Sequence, residues 1–297
     1  MADNHPVRVI DPLTATASGE VGSFPFDLFA RRCLAQGDSW FSIGAIPPTL
    51  TSNVLDELAL SQSTVVVNCA RPGAKLSRMV DTTKERYFMR LLTGKLAMKW
   101  DAILISGVGN DVIEAASAGP EVDPALRLLR TPAERGGGPL PGDDYLSNPG
   151  WQTFSGHIGT VFTRLVDRRD SGINKGVPLL FHNYARTMPR QAGAGFGFGP
   201  WLLPAMLPFE IPAADRLAVS DALMERLHKL LVDMVAARQA TDPGCALHIV
   251  DTRAANLVLA DAASGGESGD FVNEIHPTRG GYAKAARQWR AVLDRLI

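Results

Sequence analysis

The sequence predicts an α/β protein built on a doubly wound parallel sheet, and two observations carry that expectation. Five short, near-continuously apolar runs read as strands buried on both faces. Between them lie longer segments of helical period, and alternation of strand with helix implies right-handed crossovers.

The elements follow in order. Residues 1–30, rich in Thr, Ser, Gly and Pro, read as an N-terminal leader. The strand candidates are Arg32–Gln36, Thr64–Cys69, Ala102–Ser106, Val177–His182 and Ala246–Asp251, each ending at polar or glycine residues. Phe154, Ile158, Val161, Phe162, Leu165 and Val166 form one helical stripe. Leu223, Leu227, Leu230, Leu231 and Met234 form a second, and Tyr282, Ala286, Trp289, Leu293 and Leu296 a third. The expected architecture is a flavodoxin-like, five-stranded parallel sheet with helices on both faces, in three α/β/α layers. One domain, 31–297, would carry it, with irregular Pro/Gly-rich insertions at about 118–150 and 191–208. Ligands in such sheets bind at the carboxyl ends of the strands, where the chemically capable residues of this chain cluster.

Composition narrows the function. The 297 residues are 45% hydrophobic and 21% charged, with a formal net charge of −1. Without a basic run or stripe, nothing would neutralise a row of phosphates, so no nucleic-acid partner is expected. Cys33, Cys69 and Cys245 are odd in number and sit far apart in apolar runs, which reads as buried reduced thiols. The N-terminus has no apolar signal core, and no eighteen-residue apolar stretch exists to span a membrane. The expectation is a cytoplasmic protein. No HExxH, no CxxC pair and no Walker-type phosphate loop is present, so no metal and no cofactor are expected. The stretch GAGFGFG (residues 193–199) follows no strand–helix turn and reads as a flexible loop over the site rather than a dinucleotide loop.

Four strand ends carry chemistry: Gly37-Asp38-Ser39, Gly73 after VVVNCARP, Gly107-Val108-Gly109-Asn110-Asp111, and NEIHPTRGGY with His276. Taken in order, these blocks resemble those of the SGNH (GDSL-type) hydrolases, named for Ser, Gly, Asn and His. The resemblance runs from about residue 33 to 297. Two positions depart from the family pattern. Val108 stands where the third block usually has glycine, and Asn273 stands where the acid of the triad usually lies, three residues before the histidine.

A serine hydroxyl needs a base to act as nucleophile, although Asp38 or Ser39 would equally suit a helix cap. His276, on a loop before the last helix, can reach across the strand ends as general base and then general acid. The resemblance implies an oxyanion hole made by the backbone N–H of Ser39, Gly73 and the side chain of Asn110. Glycine lets a main-chain N–H approach the developing charge, and asparagine is a neutral donor. For the partner of His276 the sequence leaves Asn273, Asp270, Glu274 and Asp251 open. His182 and Tyr184 are expected to line the cleft, and Trp40, Phe41, Phe196, Phe198 and Trp201 to form an acyl pocket or lid. The implied activity is that of a serine esterase or lipase-type hydrolase acting on carboxylic esters through an acyl-serine. An acyltransferase with the same Ser–His chemistry, or a ligand-binding protein without turnover, remains as an alternative.

Overall fold

The five apolar runs become strands almost where the pattern puts them, and a sixth joins them from the N-terminal stretch. The structure, a computed structural model, describes residues 4–16, 24–43, 52–81, 83–136 and 140–297. The strands are β1 (Arg8–Ile10), β2 (Arg31–Gly37), β3 (Thr64–Asn68), β4 (Ala102–Ser106), β5 (Leu179–His182) and β6 (Leu247–Val250). All are parallel, in the order β1-β3-β2-β4-β5-β6. Strands β2 to β6 alone have the flavodoxin-like order, whose topological switch lies between β2 and β4.

The expected strand count of five is therefore corrected to six. Strand β1 pairs Arg8, Val9 and Ile10 with Val65, Val66 and Val67. Three residues are too few to stand out as an apolar run, so the leader boundary at residue 30 fails for this segment. His5–Pro6 also pairs, antiparallel, with Ala59–Leu60. Other parts of the expected leader and first insertion, residues 1–3, 17–23 and 137–139, lie outside the described residues.

Helices on both faces complete the layers. They include α1 (Ser39–Ser42), α2 (Leu76–Met79), α3 (Arg86–Leu92), α4 (Gly109–Ala116), α5 (Asn148–Asp170), α6 (Leu202–Met206), α7 (Arg216–Thr241) and α8 (Arg279–Leu296). The stripe on α5 is buried throughout, and Phe162 meets Phe181 of β5 at 5.1 Å between ring centroids. On α8, Trp289 packs against Phe41 at 5.3 Å. Each fully buried large apolar side chain of this kind contributes about 1.5–3 kcal/mol relative to exposure. Thr278 caps α8 by accepting from Gly281 N at 3.1 Å.

The 191–208 insertion is a tight hairpin followed by α6. Ala194 N donates to Phe198 O at 2.7 Å, and Phe198 N to Gly195 O at 2.9 Å. Its tip needs positive φ at Gly195, Phe196 and Gly197 (82°, 50° and 81°), which explains the alternating glycines. Among the described residues no helix is long and apolar enough to cross a membrane.

Candidate active site

Strand β2 delivers the site. It ends at Gly37, where an added Cβ would lie 2.7 Å from Ser106 Cβ and 2.9 Å from Ser106 O, so only glycine fits this approach to β4. Asp38 follows as the N-cap of α1, its Oδ1 accepting from Trp40 N at 3.0 Å. Ser39 is the first residue of that helix, a position whose N–H has no intrahelical acceptor.

His276 reaches Ser39 from the loop before α8. Its Nε2 lies 2.8 Å from Ser39 Oγ, and its Nδ1 lies 3.0 Å from Asn273 Oδ1. The same amide oxygen accepts from His276 N at 2.9 Å and Ile275 N at 3.2 Å. Two backbone donors fix which amide atom is the oxygen. The tautomer follows: Nδ1 carries the hydrogen, and the Nε2 lone pair faces the serine hydroxyl. Burial pulls the imidazole down to about 4. At neutral pH the ring is the free base.

The other acids proposed for this position are engaged elsewhere. Asp270 Oδ2 pairs with Lys284 at 2.5 Å and accepts from Val258 N at 2.6 Å. Glu274 accepts from Arg190 N at 3.1 Å, from Leu202 N and Leu203 N at 2.8 Å each, and from Trp201 N. It therefore anchors the start of α6. Asp251 accepts from Asn183 Nδ2 at 2.7 Å and Arg253 N at 3.1 Å. None hydrogen-bonds the His276 ring.

The two remaining blocks come close without converging fully. The loop carrying Gly73 is tied to the end of β2 by Arg71 N donating to Gly37 O at 2.9 Å, and Gly73 itself is exposed with φ +72°. Asn110, in the first turn of α4, uses one amide hydrogen on Ala74 O at 3.2 Å. An amide has two, so one is left for a ligand. Ser39 and Asn110 line one small cavity; Gly73 does not. Val108 before α4 has φ 83° while fully buried. A β-branched residue is strained in that region, which accounts for the glycine usual at this position in the pattern the chain resembles.

A second polar chain, missed in the sequence, lies beneath the nucleophile. Ser106 Oγ donates to Asp38 Oδ1 at 2.7 Å, so its oxygen accepts from His182 Nε2 at 2.9 Å. Tyr184 OH donates to Asp38 Oδ2. Burial pushes the Asp38 carboxyl up to about 6, against the lowering by hydrogen bonds from Tyr184, Ser106 and Trp40 N. Burial also drives His182 down to about 3. The register held the signal: Gly37 pairs with Ser106, and Ile105 with Phe181, so Ser106 and His182 share a row beside Asp38.

Several cleft expectations need correction. His182 is sealed beneath Trp40, with ring centroids 5.4 Å apart, and does not line the cavity, whereas Tyr184 does. Phe41 is core, covered by Trp289 and His182. Phe196 and Phe198 stand exposed on the hairpin, because its tight turn holds them away from the core. Trp40 is a cavity wall, and Trp201 packs edge-on against the His276 ring at 5.1 Å. A larger recess of about 730 Å³, lined by Lys75, Arg78, Arg164 and Arg168, contains none of these groups. Among the described residues no group of three or more His, Cys, Asp and Glu side chains could hold a metal ion.

A parallel sheet of this order, with these four blocks at its carboxyl ends, is the SGNH type of fold. A solved structure from Chitinophaga pinensis described as a possible lipase shares it, with TM-score 0.50, 10% identity, and 90% of this chain and 98% of that one covered. Looser matches include phospholipase A1 from Streptomyces albidoflavus (TM-score 0.44, 14% identity, 90% and 100% covered). Another is a candidate SGNH hydrolase from Slackia heliotrinireducens (TM-score 0.47, 12% identity, 88% and 98% covered). No protein-family model and no curated protein matches the sequence.

Proposed function

We propose that the chain is a serine hydrolase of carboxylic esters that works through an acyl-serine intermediate. The observation that carries this is the file Asn273 Oδ1–His276 Nδ1 at 3.0 Å and His276 Nε2–Ser39 Oγ at 2.8 Å, with the base neutral and its lone pair on the hydroxyl. Ser39 Oγ attacks the ester carbon while its proton passes to His276 Nε2. The carbon–oxygen bond to the alcohol then breaks, and the imidazolium returns that proton to the departing alkoxide. Water repeats the sequence on the acyl-serine: its proton goes to Nε2, the acid leaves, and Ser39 recovers its hydrogen.

The oxyanion would lie between Ser39 N, the free Asn110 amide hydrogen and the N–H of Gly73. Loss of one such donor typically costs about a hundred- to a thousandfold in rate. The third member is uncharged. It orients the ring and holds the tautomer, but gives the imidazolium no ionic partner, so turnover should be slower than with an acid in its place. Hydrolysis of p-nitrophenyl acetate and butyrate tests this reading. Activity lost in Ser39→Ala and in His276→Ala supports it; activity undiminished in Ser39→Ala overturns it.

A further inference from the structure

We infer that Tyr184, Ser106 and His182 are positioning residues for this reaction: acting through Asp38, they aim the Oγ and the N–H of Ser39. This rests on the serine-hydrolase reading above, whose chemical steps leave the buried polar chain unused. As an N-cap, Asp38 needs only the bond from Trp40 N, and Ser, Thr or Asn would supply it without a charge. Its carboxylate makes two more, with Ser106 Oγ at 2.7 Å and with Tyr184 OH. Burial opposes that charge, and the Asp111 carboxylate opposes it too. Capping alone does not explain a buried carboxylate held by three donors.

The extra bonds tie the turn to its neighbours on two sides. Asp38 N donates to Ser106 O at 2.9 Å, so one residue at the end of β4 holds both the backbone and the side chain of Asp38. His182 Nε2 donates to Ser106 Oγ at 2.9 Å, which turns the Ser106 hydrogen toward Asp38. The imidazole cannot swing away, because it is fully buried and stacked on Phe41 with 12° between the planes. On the other side, the Tyr184 ring lies on Gly109, where an added Cβ would come within 2.7 Å. Gly109 opens α4, so the Tyr184 hydroxyl joins the Ser39 turn to the helix that carries Asn110. Within α1, Trp40 N is taken by Asp38 Oδ1 and Phe41 N by Asp38 O at 3.2 Å. The first-turn donor left over is Ser39 N, on the same residue as the nucleophilic Oγ.

The test measures p-nitrophenyl acetate turnover in Tyr184→Phe, Ser106→Ala, their double variant, His182→Leu and His182→Gln. Each kcat is divided by the number of sites that a fluorophosphonate titrates to completion. Misfolding lowers that titre, whereas a misaimed Ser39 lowers turnover per site. A displacement of about 1 Å costs up to about a hundredfold, so kcat per site should fall about tenfold or more in each single variant. KM should stay within about threefold, since phenylalanine keeps the ring of Tyr184 in the cavity wall. Both changes act on one carboxylate, so the double variant should lose less than the product of the two single losses. His182→Gln can still donate to Ser106 and should turn over about threefold or more faster than His182→Leu. If Tyr184→Phe does not fold, the Ser106 and His182 variants decide. Wild-type kcat per site in the folded single variants would overturn the inference and leave the serine-hydrolase reading standing. So would a double-variant loss equal to the product, or a glutamine no better than leucine at 182. A wild-type protein that turns over no ester, with Ser39 unreactive toward the fluorophosphonate, would sink that reading and this inference with it.

Discussion

Asn273→Asp separates the two jobs that a triad acid performs. In the wild type the amide oxygen already receives the Nδ1–H of His276, so the tautomer is set and only the negative charge is missing. The substituted carboxylate has the same shape, and one of its oxygens can keep the two backbone donors that hold the loop, His276 N and Ile275 N. Arg190, which donates from Nη2 to Asn273 O at 2.9 Å, brings a positive charge close by. A unit charge about 4 Å from the imidazolium is worth about 4 kcal/mol at an effective dielectric of about 20, an upper figure of about three pKa units. Opposite charges at such range usually move a pKa by about one to three units. His276, held at about 4 by burial, should therefore titrate between about 5 and 7. The base must be neutral to act, so the acidic limb of kcat/KM moves to higher pH by the same amount. At pH 8, above both values, the charge stabilises the imidazolium formed in the transition state, and kcat/KM should rise about tenfold or more. The assay is a pH–rate profile on p-nitrophenyl acetate, with melting temperature as a control for folding. An acidic limb that stays near pH 4 in a folded variant would refute the placement of Asn273 against His276 Nδ1.

Two further substitutions probe the scaffold under the site. Gly37→Ala forces a Cβ against Ser106 Cβ and O, so melting temperature should fall with a loss of about 1–3 kcal/mol. Because Ser39 is only two residues on, its rate of fluorophosphonate labelling should drop about tenfold or more; wild-type values for both would contradict the close approach of β2 to β4. Tyr282 OH is buried without a hydrogen-bond partner among the described residues. Tyr282→Phe should accordingly leave stability equal or improved, since an unpaired buried polar group costs about 1–3 kcal/mol; in chemical denaturation, a loss above about 1 kcal/mol would show a partner for that hydroxyl.

The parallel sheet was legible because its strands are buried on both faces. Runs such as Ala102–Ser106 have no polar alternation and stop where the backbone turns. Strand β1 escaped notice because three residues, one of them Arg8, carry no period. Within the site, Ser39 and His276 could be picked out because motif spacing and loop position reinforce each other. The partner of His276 could not, since choosing among Asn273, Asp270, Glu274 and Asp251 depends on where two separate segments, the end of β6 and the loop before α8, point their side chains. The structure spends Asp270 on Lys284 and Glu274 on the amides of α6, contacts made 14 and more than 70 residues away in sequence. The Asp38–Ser106–His182 chain was hidden for another reason. It is a row across three strands, visible only once the register is known. Aromatic residues near the motifs misled for the converse reason: Phe41 went to the core and Phe196 to the solvent, and residue type alone does not distinguish these from a pocket wall.

Covalent capture tests the central claim most directly. The protein is mixed with p-nitrophenyl acetate, quenched in acid within the first turnovers, digested and analysed by mass spectrometry. An acetyl group on the peptide spanning Ala35–Ser42, located at Ser39 and missing in Ser39→Ala, is the result the hydrogen-bonded file from Asn273 through His276 predicts. Acetylation of a different side chain, with Ser39 unmodified while p-nitrophenol is released, would contradict it.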